Sequence, residues 1–369
     1  TCSHWKAGET SHSILIYLDH NSTAPMLPKV VEAMEPWLTE HWGNPSNSYG
    51  PGRLARQAIE HARRKVAVLV GATPEQVMLT SCATEANNAA LLSGVLQDRS
   101  KRHLVTSEVE HSDDFSFSRF NEHFHDIEVT RLPVDRGGLI DPEVLRGAIR
   151  DDTALVSLMW ANNETGVIWP IIEHAESCAE SNVPFHTDAV QAVGKIPVSF
   201  AQSGANYLTL SGHKFGAPKG IGALVLSDPE KFAPLIHGGK QEHGLRGGTE
   251  NVANIVALGV ASELVAGRGC DPWLRVSDLR DHFEEEIAKE FGGVKINGGR
   301  SPRIPNTCNL YLHGMDGDAL VTFLDQQGIC ISSGSACLED AITPSHVIVA
   351  LTGSHDRANE SIRVSLGLN

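Results

Sequence analysis

Between residues 76 and 226, short apolar runs alternate with segments of helical period, and this alternation restricts the possible folds more than any other feature of the chain. Strand-like runs fall at 76–80, 104–107, 127–132, 154–160, 183–187, 207–210 and 221–226. Helical patterns at 85–96, 117–123, 142–149 and 171–180 lie among them. A strand, a helix and a second strand make the crossover unit of a parallel sheet, so the pattern predicts an α/β fold with a mainly parallel sheet covered by helices on both faces. Upstream, 14–18 reads as a short strand, and Pro28 opens a helix to about residue 41. Residues 53–70 are a clear amphipathic helix, with Leu54, Ala58, Ile59, Ala62, Val66 and Leu69 on one face and Arg56, Glu60, Arg63 and Arg64 on the other.

After residue 226 the pattern changes. Long helices are predicted at 251–265 and 273–291, then strands at 307–312 and 328–332 around a helix near 320–325, and a closing strand at 361–366. A chain of 369 residues exceeds the size at which one core usually keeps growing. The expectation is a large α/β domain over 14–265 and a smaller α+β domain over 266–369, with the segment 1–20 free to pack on the smaller one.

Charge and cysteine usage exclude several classes. A formal net charge of -15 argues against a basic surface for nucleic acid, though it permits a local patch for a protein partner. No apolar run is long enough to span a bilayer. The seven cysteines include no Cys-x-x-Cys pair, so neither a disulfide framework nor a zinc site is expected. Reduced thiols point to a cytoplasmic setting, and the first residues carry neither a signal-peptide core nor an arginine-rich import pattern.

Several residues stand where chemistry could be done. Lys214 sits in a glycine-rich turn, Ser211-Gly-His-Lys-Phe-Gly, between two apolar runs. A lone loop lysine is usually solvated, but an amine at a buried strand end can lose hydration and become reactive toward carbonyl groups. Thr80-Ser-Cys-Ala-Thr-Glu85 joins a strand to a helix, an arrangement that either caps the helix or presents N–H groups to a phosphate. Asp188 ends a strand with Gln191 three residues on; by itself it reads equally as a surface acid, while the pair could hold a protonated ring nitrogen and a ring oxygen. His111 follows a strand end beside Glu108 and Glu110, acids that would raise its pKa. Arg363, in the last strand, offers a planar fork for a carboxylate or a structural salt bridge.

Taken in order, the motifs resemble those of pyridoxal-phosphate enzymes of fold type I, class V, and within them the cysteine desulfurases of the IscS/NifS type. The resemblance runs from Tyr17-Leu-Asp-His to Ser361-Ile-Arg-Val-Ser-Leu-Gly367. It passes through Gly43-Asn-Pro-Ser46, Thr80 to Glu85, Glu110-His111, Asn162-Asn-Glu-Thr-Gly166, His186-Thr-Asp-Ala-Val-Gln191, Ser211 to Lys214, Arg246-Gly-Gly-Thr249 and Ser332-Ser-Gly-Ser-Ala-Cys337.

The resemblance implies roles. Lys214 would carry pyridoxal 5'-phosphate as a Schiff base, while Ala83, Thr84, Ser211 and His213 would bind its phosphate, with Thr249 from a neighbouring subunit. Asp188 would hold the pyridine nitrogen protonated, and Gln191 would contact the ring oxygen. His111 would stack on the ring and move protons, and Asn163 with Arg363 would grip the substrate carboxylate. Cys337, on a serine- and glycine-rich stretch, would take the sulfur of L-cysteine as a persulfide, release alanine and pass the sulfur to an acceptor, as in iron–sulfur cluster assembly. A homodimer is implied by Thr249 acting in trans.

The chain also departs from the family pattern. Cys82 stands where glycine is usual, and Tyr49 where histidine is common. Glu339 and Asp340 follow the nucleophile closely and should lower its thiolate fraction. The chain stops six residues after Arg363, where relatives normally continue. A selenocysteine lyase or cystine lyase would share the cofactor residues, and a non-catalytic sulfur-trafficking partner would share the fold without needing the full set.

Overall fold

A computed structural model describes residues 15–124, 126–269, 271–333 and 344–368. The first strand, β1 (Ile16–Tyr17), is followed by α1 (Pro28–Thr39), α2 (Gly50–Leu69), β2 (Val77–Thr80) and α3 (Ala83–Gln97). The alternating section continues as β3 (His103–Ser107), α4 (Ser112–Phe124), β4 (Glu128–Leu132), α5 (Pro142–Ala148), β5 (Thr153–Met159) and α6 (Ile171–Glu180). It closes with β6 (Phe185–Asp188), α7 (Phe200–Ser203), β7 (Tyr207–Ser211) and β8 (Gly222–Leu226).

Strands β2 to β8 form a seven-stranded sheet in the order β2-β8-β7-β6-β5-β3-β4. Pairing is parallel from β7 through β6, β5 and β3 to β4, while β8 runs antiparallel to both β7 and β2. This is the mainly parallel sheet that the alternation predicts. Successive strand residues feed two separate apolar layers, as the two-residue period of a sheet requires. Val105, Val156, Leu158, Leu208 and Val225 pack with Ile59 and Val66 of α2. On the opposite face Leu104, Leu155, Tyr207 and Leu224 pack with Ala86, Ala90 and Leu91 of α3.

The second half is built on α8 (Val252–Arg268), α9 (Asp271–Glu290), β9 (Lys295–Ile296), β10 (Thr307–Tyr311), α10 (Gly317–Gln326), β11 (Ile329–Cys330), α11 (His346–Thr352), α12 (His355–Asn359) and β12 (Ser361–Ser365). Helix α8 lies against α2 so closely that a Cβ on Gly259 would stand 2.6 Å from Ala62 Cα. The three-stranded sheet β12-β10-β9 carries its own core, in which Leu310, Ile362 and Val364 meet Phe283 and Leu324.

Some element bounds differ from the sequence reading. Helix α2 begins at Gly50, because Pro51 in its first turn sets a helical φ without needing an N–H partner. The predicted strand 328–332 shrinks to β11, which pairs in parallel with β1 alone; Ser332 beyond it makes an isolated bridge to Arg363. The short helices α7, α11 and α12 were not anticipated, since each spans too few residues to show a helical period.

Candidate active site

Strands β2, β3, β5, β6 and β7 each bring a polar residue to the same edge of the sheet, at their ends or in the segment that follows. Asp188 ends β6, Ser211 ends β7 and leads into a 3-10 turn at Gly212–Lys214, Thr80 ends β2 ahead of α3, and the segments after β3 and β5 carry His111 and Asn163. Ligands of open α/β sheets bind at this carboxyl edge. A cavity of about 310 Å³ opens there, and its wall includes Ala83, Thr84, His111, Asn163, Asp188, Gln191, Ser211, His213, Lys214 and Arg363. Cys82, Asn21 and Ser22 complete much of the remaining lining.

One end of the cavity suits an anion. Helix α3 starts after Cys82, which makes no side-chain capping bond, so the first backbone N–H groups and the positive end of the helix dipole meet the cavity without a side-chain cap. Gly222 begins β8 beside them, where a Cβ would come within 2.9 Å of the Cys82 carbonyl carbon. Glu85 in the first turn is turned aside by Arg246, whose Nε donates to Glu85 Oε1 at 2.9 Å, and by Ser81 N, which donates to Oε2 at 2.9 Å. Burial, then Lys214 and Lys219, pushes the His213 imidazole down to about 4, so this ring is neutral near pH 7.

The middle of the cavity holds the amine and the acid. Lys214 Nζ donates to the backbone oxygens of Asn21 at 2.7 Å and Ser22 at 2.8 Å. Asp188, 9% exposed, accepts from Asn87 Nδ2 at 2.8 Å and from Val190 N at 2.8 Å, which fixes the direction its carboxylate faces. Gln191 Nε2 donates to the Asn21 backbone oxygen at 3.0 Å.

Arg363 marks the other end. Its NH1 donates to Asn163 O at 3.1 Å, and its NH2 donates to Asp19 Oδ1 at 2.7 Å and Ser22 Oγ at 2.8 Å. Its Nε, buried with the rest of the group, has no hydrogen-bond partner among the described residues. Behind it lies Glu164, whose carboxyl is pushed up to about 7 by burial, against the opposing pull of Ser345, Arg363 and His111. Ser345 Oγ donates to Glu164 and also accepts from Ile348 N, capping α11. Beside His111, Glu110 is buried and accepts from Ser107 Oγ at 2.7 Å and Met159 N at 3.2 Å.

The sequence-derived residues thus gather on one cavity, with two departures. Thr249 is exposed and does not line that cavity within the same chain. Cys337, with Glu339 and Asp340, lies outside the described residues. Ser332, just before that stretch, exchanges backbone hydrogen bonds with Arg363, and Ser345, just after it, holds Glu164. Sequence reasoning missed Asn21, Asp19 and Glu164, which act through backbone oxygens or through partners far along the chain. Asp19 and Glu164 were signalled only by membership of the motifs Tyr17-Leu-Asp-His and Asn162-Asn-Glu-Thr-Gly166, and Asn21 only by directly following the first of them.

Residues 16–369 match the model of the aminotransferase class-V family. The chain belongs to that family. Among curated relatives it is similar to "Cysteine desulfurase IscS" of Dictyoglomus turgidum, 44% identical over 96% of this chain and 90% of the relative. It is likewise 44% identical to "Cysteine desulfurase" of Cereibacter sphaeroides, over 95% of this chain and 90% of the relative. Among solved structures, a "NIFS-LIKE PROTEIN" superposes with a TM-score of 0.89 at 32% identity, covering 96% of this chain and 94% of that one. A structure titled "SspA in complex with cysteine" superposes with a TM-score of 0.84 at 34% identity, covering 95% and 98%. Within the family the chain falls among the cysteine desulfurases of the IscS/NifS type.

Proposed function

We propose that this chain is a pyridoxal-phosphate-dependent cysteine desulfurase that converts L-cysteine to L-alanine and passes the sulfur through Cys337 to an acceptor protein. The observation that carries the reading is the convergence of Lys214, Asp188, Gln191, His111 and Arg363 on one cavity at the carboxyl edge of the sheet.

The donor set fits the cofactor. The uncapped start of α3, with Ser211 and His213 nearby, suits a phosphate; the oriented Asp188 carboxylate suits a protonated ring nitrogen; and Lys214 supplies the amine for covalent attachment. Pyridoxal phosphate bound there supplies an electron sink for the charge left when a proton leaves the substrate α-carbon. Lys214, once released to the substrate amine, is placed to take that proton. Arg363, held by Asn163, Asp19 and Ser22, is the cation for the substrate carboxylate. His111 moves a proton at the ring face.

The Cys337 thiolate forms an S–S bond as the substrate Cβ–S bond breaks, and the electron pair of that bond stays with carbon, which is protonated to give alanine. Support for this delivery comes from the flanks of the 334–343 stretch, since Ser332 and Ser345 both bond to residues at the substrate end of the cavity. Thr249 completes the phosphate site of a second copy, which makes the working form a homodimer. The cofactor is carried by the unit 14–265 and the sulfur-accepting cysteine by the unit 266–369. Among the described residues no single helix is long and apolar enough to cross a membrane, and Cys82, Cys178, Cys308 and Cys330 are free thiols. A reducing, cytoplasmic setting and an iron–sulfur assembly acceptor are the assignments to test first.

The protein supplied with pyridoxal phosphate turns yellow and releases sulfide from L-cysteine in the presence of a reductant. Cys337→Ala retains the colour and loses the sulfide. A colourless protein, or sulfide release that survives that substitution, overturns the assignment.

A further inference from the structure

Behind the cavity wall lies a second lysine, Lys195, which none of the steps above uses. It is 4% exposed and sits on the turn that follows β6. The turn depends on Gly194, whose φ of +81° and close approach to Phe215 leave no room for a side chain. Lys195 Nζ donates to Gln191 Oε1 at 2.6 Å and to Asn21 Oδ1 at 2.8 Å.

Those two bonds hold each amide oxygen toward the lysine, in concert with Gln191 Nε2 on the Asn21 backbone oxygen and Asn21 Nδ2 on the Asn163 backbone oxygen. The oxygen and nitrogen of an amide are nearly equal in size, so packing alone does not choose between them, whereas an ammonium can only donate. Both amide oxygens therefore turn toward Lys195. Asn21 has a further restraint, because Asn306 Nδ2 also donates to its Oδ1 at 3.1 Å. Gln191 Oε1 has Lys195 as its donor, and its Nε2 is left pointing at the Asn21 backbone oxygen, the same oxygen that receives Lys214. The charged neighbours of Lys195 are Lys214, Arg363 and His20. Burial, followed by Lys214 and Arg363, pushes the Lys195 ammonium down; a neutral amine keeps two N–H groups for the two amide oxygens, and its single lone pair is not needed by Gln191 Nε2, which donates to the Asn21 backbone oxygen.

We propose that Lys195 is a positioning residue that locks the Gln191 amide so that its N–H, and not its carbonyl, faces the ring oxygen of the cofactor. The inference rests on the reading of the cavity as a pyridoxal-phosphate site with Gln191 at the ring oxygen. A donor at that oxygen shares its negative charge with the proton held between the oxygen and the Lys214 nitrogen. When the donor is lost, that proton is held more tightly.

The test is a pH titration of the visible absorption band of the full protein loaded with pyridoxal phosphate. Lys195→Met should raise the midpoint by about one pH unit. Gln191→Leu should raise it similarly, and the double variant no further than either single one, since the lysine acts through the glutamine. Where Lys195→Met fails to fold, Lys195→Gln takes its place with the same expected rise. An unchanged midpoint in the lysine variant overturns the inference. So does a full additional rise in the double variant, which would show Lys195 acting as a bare charge. No shift in Gln191→Leu overturns the ring-oxygen contact as well, and a protein that takes up no pyridoxal phosphate overturns the cofactor reading on which both stand.

Discussion

Two buried guanidinium groups, Arg63 and Arg363, meet carboxylates in different parts of the molecule and are finished differently. Arg63 is closed on every side: NH1 and NH2 pair with Glu242 at 2.6 and 2.8 Å, NH1 also reaches Val77 O, and Nε faces Glu60. Glu242 in turn accepts from Leu79 N at 2.7 Å and is held at a φ of +46°, a backbone region that disfavours side chains other than glycine. Arg363 has Asp19, Ser22 and Asn163 on its two terminal nitrogens and nothing on Nε. A saturated buried cation holds the β2 strand to the 241–244 turn. A buried cation whose printed bonds all lie on its two terminal nitrogens keeps N–H donors unused among the described residues.

Substitutions at the two sites should therefore separate stability from activity. The largest effect is expected at the closed pair: Glu242→Ala strips buried Arg63 of its two shortest carboxylate bonds, leaving it only the half-buried Glu60, and should cost about 3 kcal/mol in denaturant unfolding, with kcat/KM of the folded fraction unchanged. At the open one, Arg363→Lys removes the planar fork and should lower kcat/KM for L-cysteine by about 100-fold, roughly 2.7 kcal/mol, with a nearly unchanged Tm. The comparison breaks if Arg363→Lys unfolds the protein or if Glu242→Ala abolishes turnover without loss of stability.

A third measurement sharpens the electrostatics around Arg363. Because the native Glu164 carboxyl is raised from 4.5 to about 7, the folded state binds the extra proton across that interval. Its contribution is fully present below about pH 4.5 and is lost as the pH rises through 7, with a slope of at most about 1.4 kcal/mol per pH unit. Glu164→Gln should flatten the fall in Tm between pH 5 and 7.5; an identical profile in both proteins would place the titration elsewhere. The smallest effect is expected at the exposed pair Arg146–Glu143, where Glu143→Gln should change stability by less than about 0.5 kcal/mol.

The sheet was readable in advance because the strands of the parallel section are buried on both faces and so appear as continuous apolar runs between helices of clear period. Lys214, Asp188, Gln191, His111 and Arg363 were readable because each sits at a strand end or within the final strand, in a motif with recognisable spacing. The supports of the site were not. Asn21 offers its backbone oxygen to Lys214 and its side chain to Thr307, a contact across 286 positions that no local pattern announces. Lys195 reads as a surface lysine after a glycine until its two amide partners are seen. The strand at 328–332 was drawn too long because an apolar alternation marks the capacity to pair, while the pairing itself stops where β1 runs out of residues.

The pairing of β1 with β11, and of Asp19 and Asn21 with Ser365, ties residues 16–21 to the segments 329–330 and 365 in one spatial unit. A cut or fusion placed close to residue 20 would thus be felt by an amine almost two hundred positions later, because it would disturb the carbonyls on which that amine rests. Engineering of this protein should treat residues 16–22 as working machinery.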